Sequence, residues 1–64
     1  MDYPTRFFYE YVNIRVHDGM LKHDAIYEFL SNPYIPQDYK EMNLVQDEYV
    51  TAMDLYNETN PIKK

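Results

Sequence analysis

The side chains in this chain that could do chemistry are mainly carboxylates, and most of them lie in its second half. The 64 residues carry eleven acids against six bases, for a net charge of −5 at pH 7. Residues 1–23 are neutral overall, whereas residues 24–58 hold eight acids and a single base, Lys40. Such a field repels phosphate backbones and attracts basic surfaces. The sequence therefore favours a protein with a basic surface as the partner and disfavours direct binding to nucleic acid.

Three of these acids, Asp47, Asp54 and Glu58, recur at steps that put them on one face of the last predicted helix, with Glu48 beside them. Carboxylates spread along a helix are too far apart to converge on one divalent ion. Two interpretations remain, a solvated face and a partner-binding face with spaced negative charge. These four acids are our candidate partner-binding residues.

Tyrosine is the second unusual feature, with eight Tyr and three Phe in the chain. Tyrosine is enriched at interface centres because it combines apolar area with a polar end. Most of these rings must build the core of so short a chain, but we expect a few on the surface: Tyr3, Tyr9, Tyr27 and Tyr34. Of these, Tyr27 and Tyr34 join the candidate partner-binding residues.

No catalytic, cofactor or metal site is predicted, and we expect the protein not to be an enzyme. The chain has no cysteine, one glycine and one serine, Ser31, so thiolate sites, phosphate loops and serine nucleophiles have no basis. The two imidazoles, His17 and His23, are six residues apart and are interpreted as polar residues of a turn rather than metal ligands. No secretory signal or apolar run long enough to span a bilayer is present, and we expect a cytoplasmic protein without a membrane partner.

The elements that position these side chains are predicted to be helices. The first runs from about Pro4 to His17, and Gly19 follows where a left-handed cap is expected. A strand over residues 12–18 is the alternative, because Val12, Ile14 and Val16 alternate with polar residues. The second helix spans about residues 25–31, with Asp24 as its N-cap.

A proline-bounded connector, residues 33–36, follows the second helix, with Tyr34 and Ile35 expected against the core. The third and longest helix begins at Asp38, which has Glu41 at capping-box spacing. Its apolar face contains Met42, Val45, Tyr49, Ala52, Met53 and Tyr56. A break near Gln46 and Asp47 is left open, and residues 61–64 are expected to be a frayed basic tail.

Together these elements predict an all-α, single-domain compact bundle of three or four helices over residues 1–60, with the last helix longest. The predicted core comprises Phe7, Phe8, Val12, Ile26, Phe29, Leu30, Val45, Tyr49 and Tyr56.

Several short motifs resemble the YozE family of small bacterial proteins. Residues 8–12 are similar to that family's opening aromatic helix, residues 24–29 to its second helix, and residues 35–41 to its proline connector and next helix start. The chain departs from the family in a shorter loop after Pro36 and in the missing tryptophan near the last helix. The resemblance implies a SAM-like helical fold, and it carries over no functional residues.

The leading hypothesis is a small acidic protein–protein interaction or regulatory module that acts through its acidic, tyrosine-containing surface. The first alternative is a DNA mimic that inhibits a nucleic-acid-binding enzyme. The second is a weak nucleic-acid-binding domain that uses Arg6, Arg15 and Lys22. The sequence does not predict the oligomeric state.

Overall fold

The helical architecture is confirmed by a computed structural model, which describes residues 2–59. These residues form four helices and no strand: α1 (Tyr3–His17), α2 (Lys22–Ser31), α3 (Gln37–Lys40) and α4 (Asn43–Thr59). The longest is α4, as expected. The predicted basic tail, residues 61–64, lies outside the described residues.

Both ends of α1 follow from local sequence. Asp2 caps its start, because the carboxylate accepts a hydrogen bond from the backbone N–H of Thr5 at 3.2 Å. At its end Gly19 has a φ of +105°, a region that favours glycine. That geometry lets the N–H of Met20 donate to the carbonyl of Arg15 at 3.0 Å. Residues 12–17 are therefore helical, and the strand alternative is wrong.

The start of α2 differs from the prediction. The helix begins at Lys22, because the N–H of Ala25 already donates to the carbonyl of Leu21 at 2.9 Å. Asp24 is therefore not the N-cap but lies in the first turn, where its carboxylate is 3.2 Å from the ring of His23. An acid in the first turn still complements the positive end of the helix dipole.

The long third helix of the prediction is two helices, and the break is not at Gln46 and Asp47. It lies at Glu41 and Met42, between α3 and α4. The predicted capping box is also wrong, because Pro36 caps α3 without a side-chain bond and Asp38 lies inside the helix. The Glu41 carboxylate accepts instead from the amide nitrogen of Gln37 at 3.4 Å.

The core forms where α1, α2 and α4 meet. Eight of the described residues are buried: Phe8, Val12, Ala25, Ile26, Phe29, Ile35, Val45 and Ala52. Five of the predicted core residues are among them, while Phe7, Leu30 and Tyr49 are partly buried against this cluster. Tyr56 is a wrong prediction, since it is exposed and its ring lies 4.4 Å from the ring of His23. The expectation that Tyr34 lies against the core is also wrong, because its side chain is exposed. Its neighbour Ile35 is buried, as expected.

Candidate partner-binding surface

Three of the four predicted acids, Asp47, Asp54 and Glu58, lie on the solvent side of α4. We define the outer face of α4 as Asp47, Val50, Thr51, Asp54 and Glu58, which are all exposed. The opposite side of the same helix carries Val45 and Ala52, which are buried in the core. At 1.5 Å of rise per residue, the three acids are spaced along the axis by about 10 Å and about 6 Å.

An apolar side chain stands among these acids. Val50 is 57% exposed, three residues after Asp47 and four before Asp54, so an acid lies about one turn away on either side. Val50 was not among the predicted site residues. It falls outside the apolar stripe of α4, and that position is the sequence signal that its side chain faces solvent.

Glu48 has a different environment from the other predicted acids. Its carboxylate is 3.0 Å from the ammonium of Lys22 and accepts a hydrogen bond from the hydroxyl of Tyr9 at 3.5 Å. The Glu48 side chain is only 25% exposed. It therefore connects α4 to α1 and α2 and does not belong to the outer face of α4.

The bases of the first 22 residues are all engaged in ion pairs. Arg6 pairs with Glu10 at 3.3 Å, and Lys22 pairs with Glu48. In contrast, the acids of the outer face of α4 form no ion pair with another described residue. The outer face of α4 therefore carries three negative charges that no described base neutralises.

Arg15 is held in the most elaborate of these ion pairs. Its guanidinium nitrogen is 3.1 Å from a Glu28 carboxylate oxygen, and that oxygen also accepts from the hydroxyl of Tyr11 at 2.7 Å. The guanidinium carbon lies 5.3 Å from the centre of the Tyr11 ring. Hydrogen bonding to Tyr11, and then the charge of Glu28, raise the pKa of Arg15. This cluster joins α1 to α2 and occupies the guanidinium that a phosphate would need.

The predicted surface tyrosines lie on other elements than α4. Tyr27, on α2, is 61% exposed, and Tyr34, in the connector before α3, is 93% exposed. The backbone N–H of Tyr34 donates to the side-chain oxygen of Asn32 at 2.9 Å, which fixes the turn that presents the ring. Tyr3 is exposed as expected, whereas Tyr9 is only partly exposed because its hydroxyl reaches Glu48.

The described residues contain no group of three or more His, Cys, Asp or Glu side chains arranged to hold a metal ion. Within the same residues, no helix has the length and apolar character needed to cross a membrane. Comparison with known proteins returned no matching family model, no matching curated protein and no matching solved structure.

Proposed function

We propose that this protein is a non-enzymatic interaction or regulatory module that binds a basic surface of another cytoplasmic protein through the outer face of α4. The observation that carries the proposal is the combination of Asp47, Asp54 and Glu58, unpaired with other described residues, around the exposed Val50. A partner of matching chemistry presents an apolar side chain flanked by Lys or Arg.

The physical roles of the two residue types differ. Carboxylates at the edge of an interface steer the approach of a basic partner and set the salt dependence of association. An apolar side chain in the middle contributes affinity once water is excluded from it. Asp47 and Asp54 therefore govern the rate of encounter, and Val50 governs how long the complex lasts.

Tyr27 and Tyr34 provide further contact area for the same partner. Tyrosine brings apolar surface at a low cost in side-chain entropy, and the fixed turn at Asn32 lowers the cost further for Tyr34. Both rings are exposed but lie on other elements, so they would act with the outer face of α4 only on a partner large enough to cover more than one helix.

The second candidate function is a DNA mimic that occupies the nucleic-acid site of its target enzyme. One observation favours it: Asp47, Asp54 and Glu58 recur along the outer face of α4, and no base lies on that face. A mimic and a plain interaction module differ in one property. Only the mimic displaces DNA from the protein it binds, so a competition assay on the captured partner separates them.

The proposal is tested by neutralising the outer face of α4 with the triple change Asp47→Asn, Asp54→Asn and Glu58→Gln. We expect the melting temperature to stay nearly constant, because exposed charges contribute only about 0–1 kcal/mol each to stability. Capture of the basic partner in affinity pulldowns should weaken, most clearly at low salt, where screening is least.

The matched control is a second triple variant that removes three exposed acids elsewhere: Asp18→Asn, Asp38→Asn and Glu41→Gln. Both triple variants change the net charge by +3, from −5 to −2. A general charge effect would weaken capture equally in both. Equal capture by the parent and both variants at every salt concentration would refute the proposed function.

A further inference from the structure

A second exposed surface lies on α1 and is chemically different from the outer face of α4. Tyr3, Phe7, Glu10 and Ile14 follow each other at steps of four, three and four residues, which places them along one face of the helix. Tyr3 is 66% exposed and Ile14 is 59% exposed, whereas Phe7 is partly buried. The rings of Tyr3 and Phe7 contact the ring of Tyr39 in α3, so Phe7 borders this face and Tyr3 and Ile14 supply its exposed apolar area. We call this set, together with the neighbouring Arg6, the outer face of α1.

The outer face of α1 is electrically balanced. Its two charged residues, Arg6 and Glu10, lie one turn apart and pair at 3.3 Å, and both side chains are more than 60% exposed. The outer face of α4 carries three acids and no base. Because each chain has a net charge of −5, two copies repel each other, and the repulsion at the contact is smallest where the surfaces that meet are neutral.

We propose that the outer face of α1 is the contact between two copies of this chain, packed antiparallel about a two-fold axis near residues 8 and 9. In that register Tyr3 lies against Ile14 of the second copy, and the reverse contact follows from the symmetry. Arg6 lies beside Glu10 of the second copy, so the two ion pairs merge into one alternating network of four charges.

The size of this surface determines the strength of the contact. Stable interfaces bury about 800 Å² on each partner, and one face of a 15-residue helix offers less than that. The apolar surface buried in the dimer comes chiefly from Tyr3 and Ile14 of each copy. We therefore expect a reversible dimer with a dissociation constant in the range of about 10 µM to about 1 mM.

Sedimentation equilibrium and light scattering on the full chain, from about 10 µM to about 1 mM, test the proposal. The average mass should rise from one chain toward two as concentration increases. Ile14→Glu should hold the mass at one chain, because it places two unpaired acids in the interface. The matched control is Val50→Glu, which introduces the same charge at a helical position of nearly the same exposure, 57% against 59%. It should dimerise like the parent.

Charge exchange tests the register without removing apolar surface. Arg6→Glu gives four acids at the centre of the interface and should abolish the dimer. The double variant Arg6→Glu with Glu10→Arg restores the alternating network and should restore it, with helix content by circular dichroism unchanged throughout. A parent that stays monomeric at every concentration would overturn the proposal. So would a dimer that survives Ile14→Glu, or one that the double exchange leaves broken.

Discussion

Phe29 lies at the centre of the aromatic cluster in the core. It is completely buried. The centre of its ring lies 5.0 Å from the ring centre of Phe8, 5.6 Å from that of Tyr11 and 6.2 Å from that of Phe7. Two of these contacts are edge-on, the arrangement that aromatic quadrupoles favour. A small chain without disulfides depends on such a cluster, because little other apolar surface is available.

Phe29→Ala should cost about 3–5 kcal/mol of unfolding free energy, which is comparable to the whole stability of a domain of this size. We expect the variant to lose its cooperative circular-dichroism melt. Tyr27→Ala, two residues away on the same helix and 61% exposed in the parent, should melt within a few degrees of it. If Phe29→Ala and Tyr27→Ala melted alike, the central position of Phe29 would be disproved.

Some acids pair with residues on other helices and others face solvent, and the residues next to them in the sequence do not reveal which acid does which. Glu28 and Glu48 each accept from a base and a tyrosine hydroxyl on other helices, whereas Asp47, next to Glu48, faces solvent. The partners of Glu48 lie 26 and 39 residues before it in the chain. Helical periodicity describes contacts between residues three or four positions apart, so it cannot predict pairings between distant residues. The three acids predicted to share one helix face, Asp47, Asp54 and Glu58, are therefore exposed together, whereas the pairing of Glu48 with other helices could not be read from periodicity.

At the scale of elements, the sequence predicted α1 well because its boundaries depend on nearest neighbours. The division between α3 and α4 was not predictable in the same way. Met42 fits the apolar period of α4, which predicts helix at this position, yet it lies in the break. Its carbonyl accepts the first bond of α4 from Val45 at 3.0 Å, and its sulfur contacts the hydroxyl of Thr5 in α1. Tertiary packing therefore holds the break, and periodicity alone could not reveal it.

The cap of α1 makes a pH-dependent contribution to stability. Hydrogen bonds from the hydroxyl and then the backbone N–H of Thr5 lower the pKa of Asp2 below its ordinary value. Because the folded state favours the carboxylate, its contribution is complete above about pH 4 and is lost as the pH falls through the lowered pKa. Asp2→Ala should therefore lower the melting temperature at pH 7, and the difference from the parent should shrink as the pH falls below about 4.

Asp54→Ala is the control for this measurement, because it removes an exposed carboxylate from the middle of α4. It should not lower the melting temperature at pH 7, since alanine is the better helix former there. A gap between the Asp2→Ala variant and the parent that stays constant from pH 7 to pH 2 would contradict the cap's role.

For the whole molecule, the distribution of net negative charge depends on which acids form ion pairs with the bases. Arg6, Arg15 and Lys22 neutralise acids on α1, α2 and α4, and the outer face of α4 is left without a counterion from the described residues. The sequence showed that residues 24–58 are acidic, but which acids remain unpaired was decided by the packing of the helices. The resemblance to the YozE family stays a prediction, since the all-α architecture is shared by many unrelated proteins.

The last prediction follows from this charge separation. We expect no measurable binding to duplex or single-stranded DNA at physiological salt, because the bases of α1 and α2 are held in ion pairs and offer little counterion release. Reversing the outer face of α4 with Asp47→Lys, Asp54→Lys and Glu58→Lys changes the net charge by +6, from −5 to +1. That variant should gain weak DNA binding that falls steeply with salt. Fluorescence anisotropy with a labelled duplex measures the DNA binding of the parent and of the variant. A parent that binds DNA at micromolar protein would move the functional site from α4 to α1 and refute our assignment.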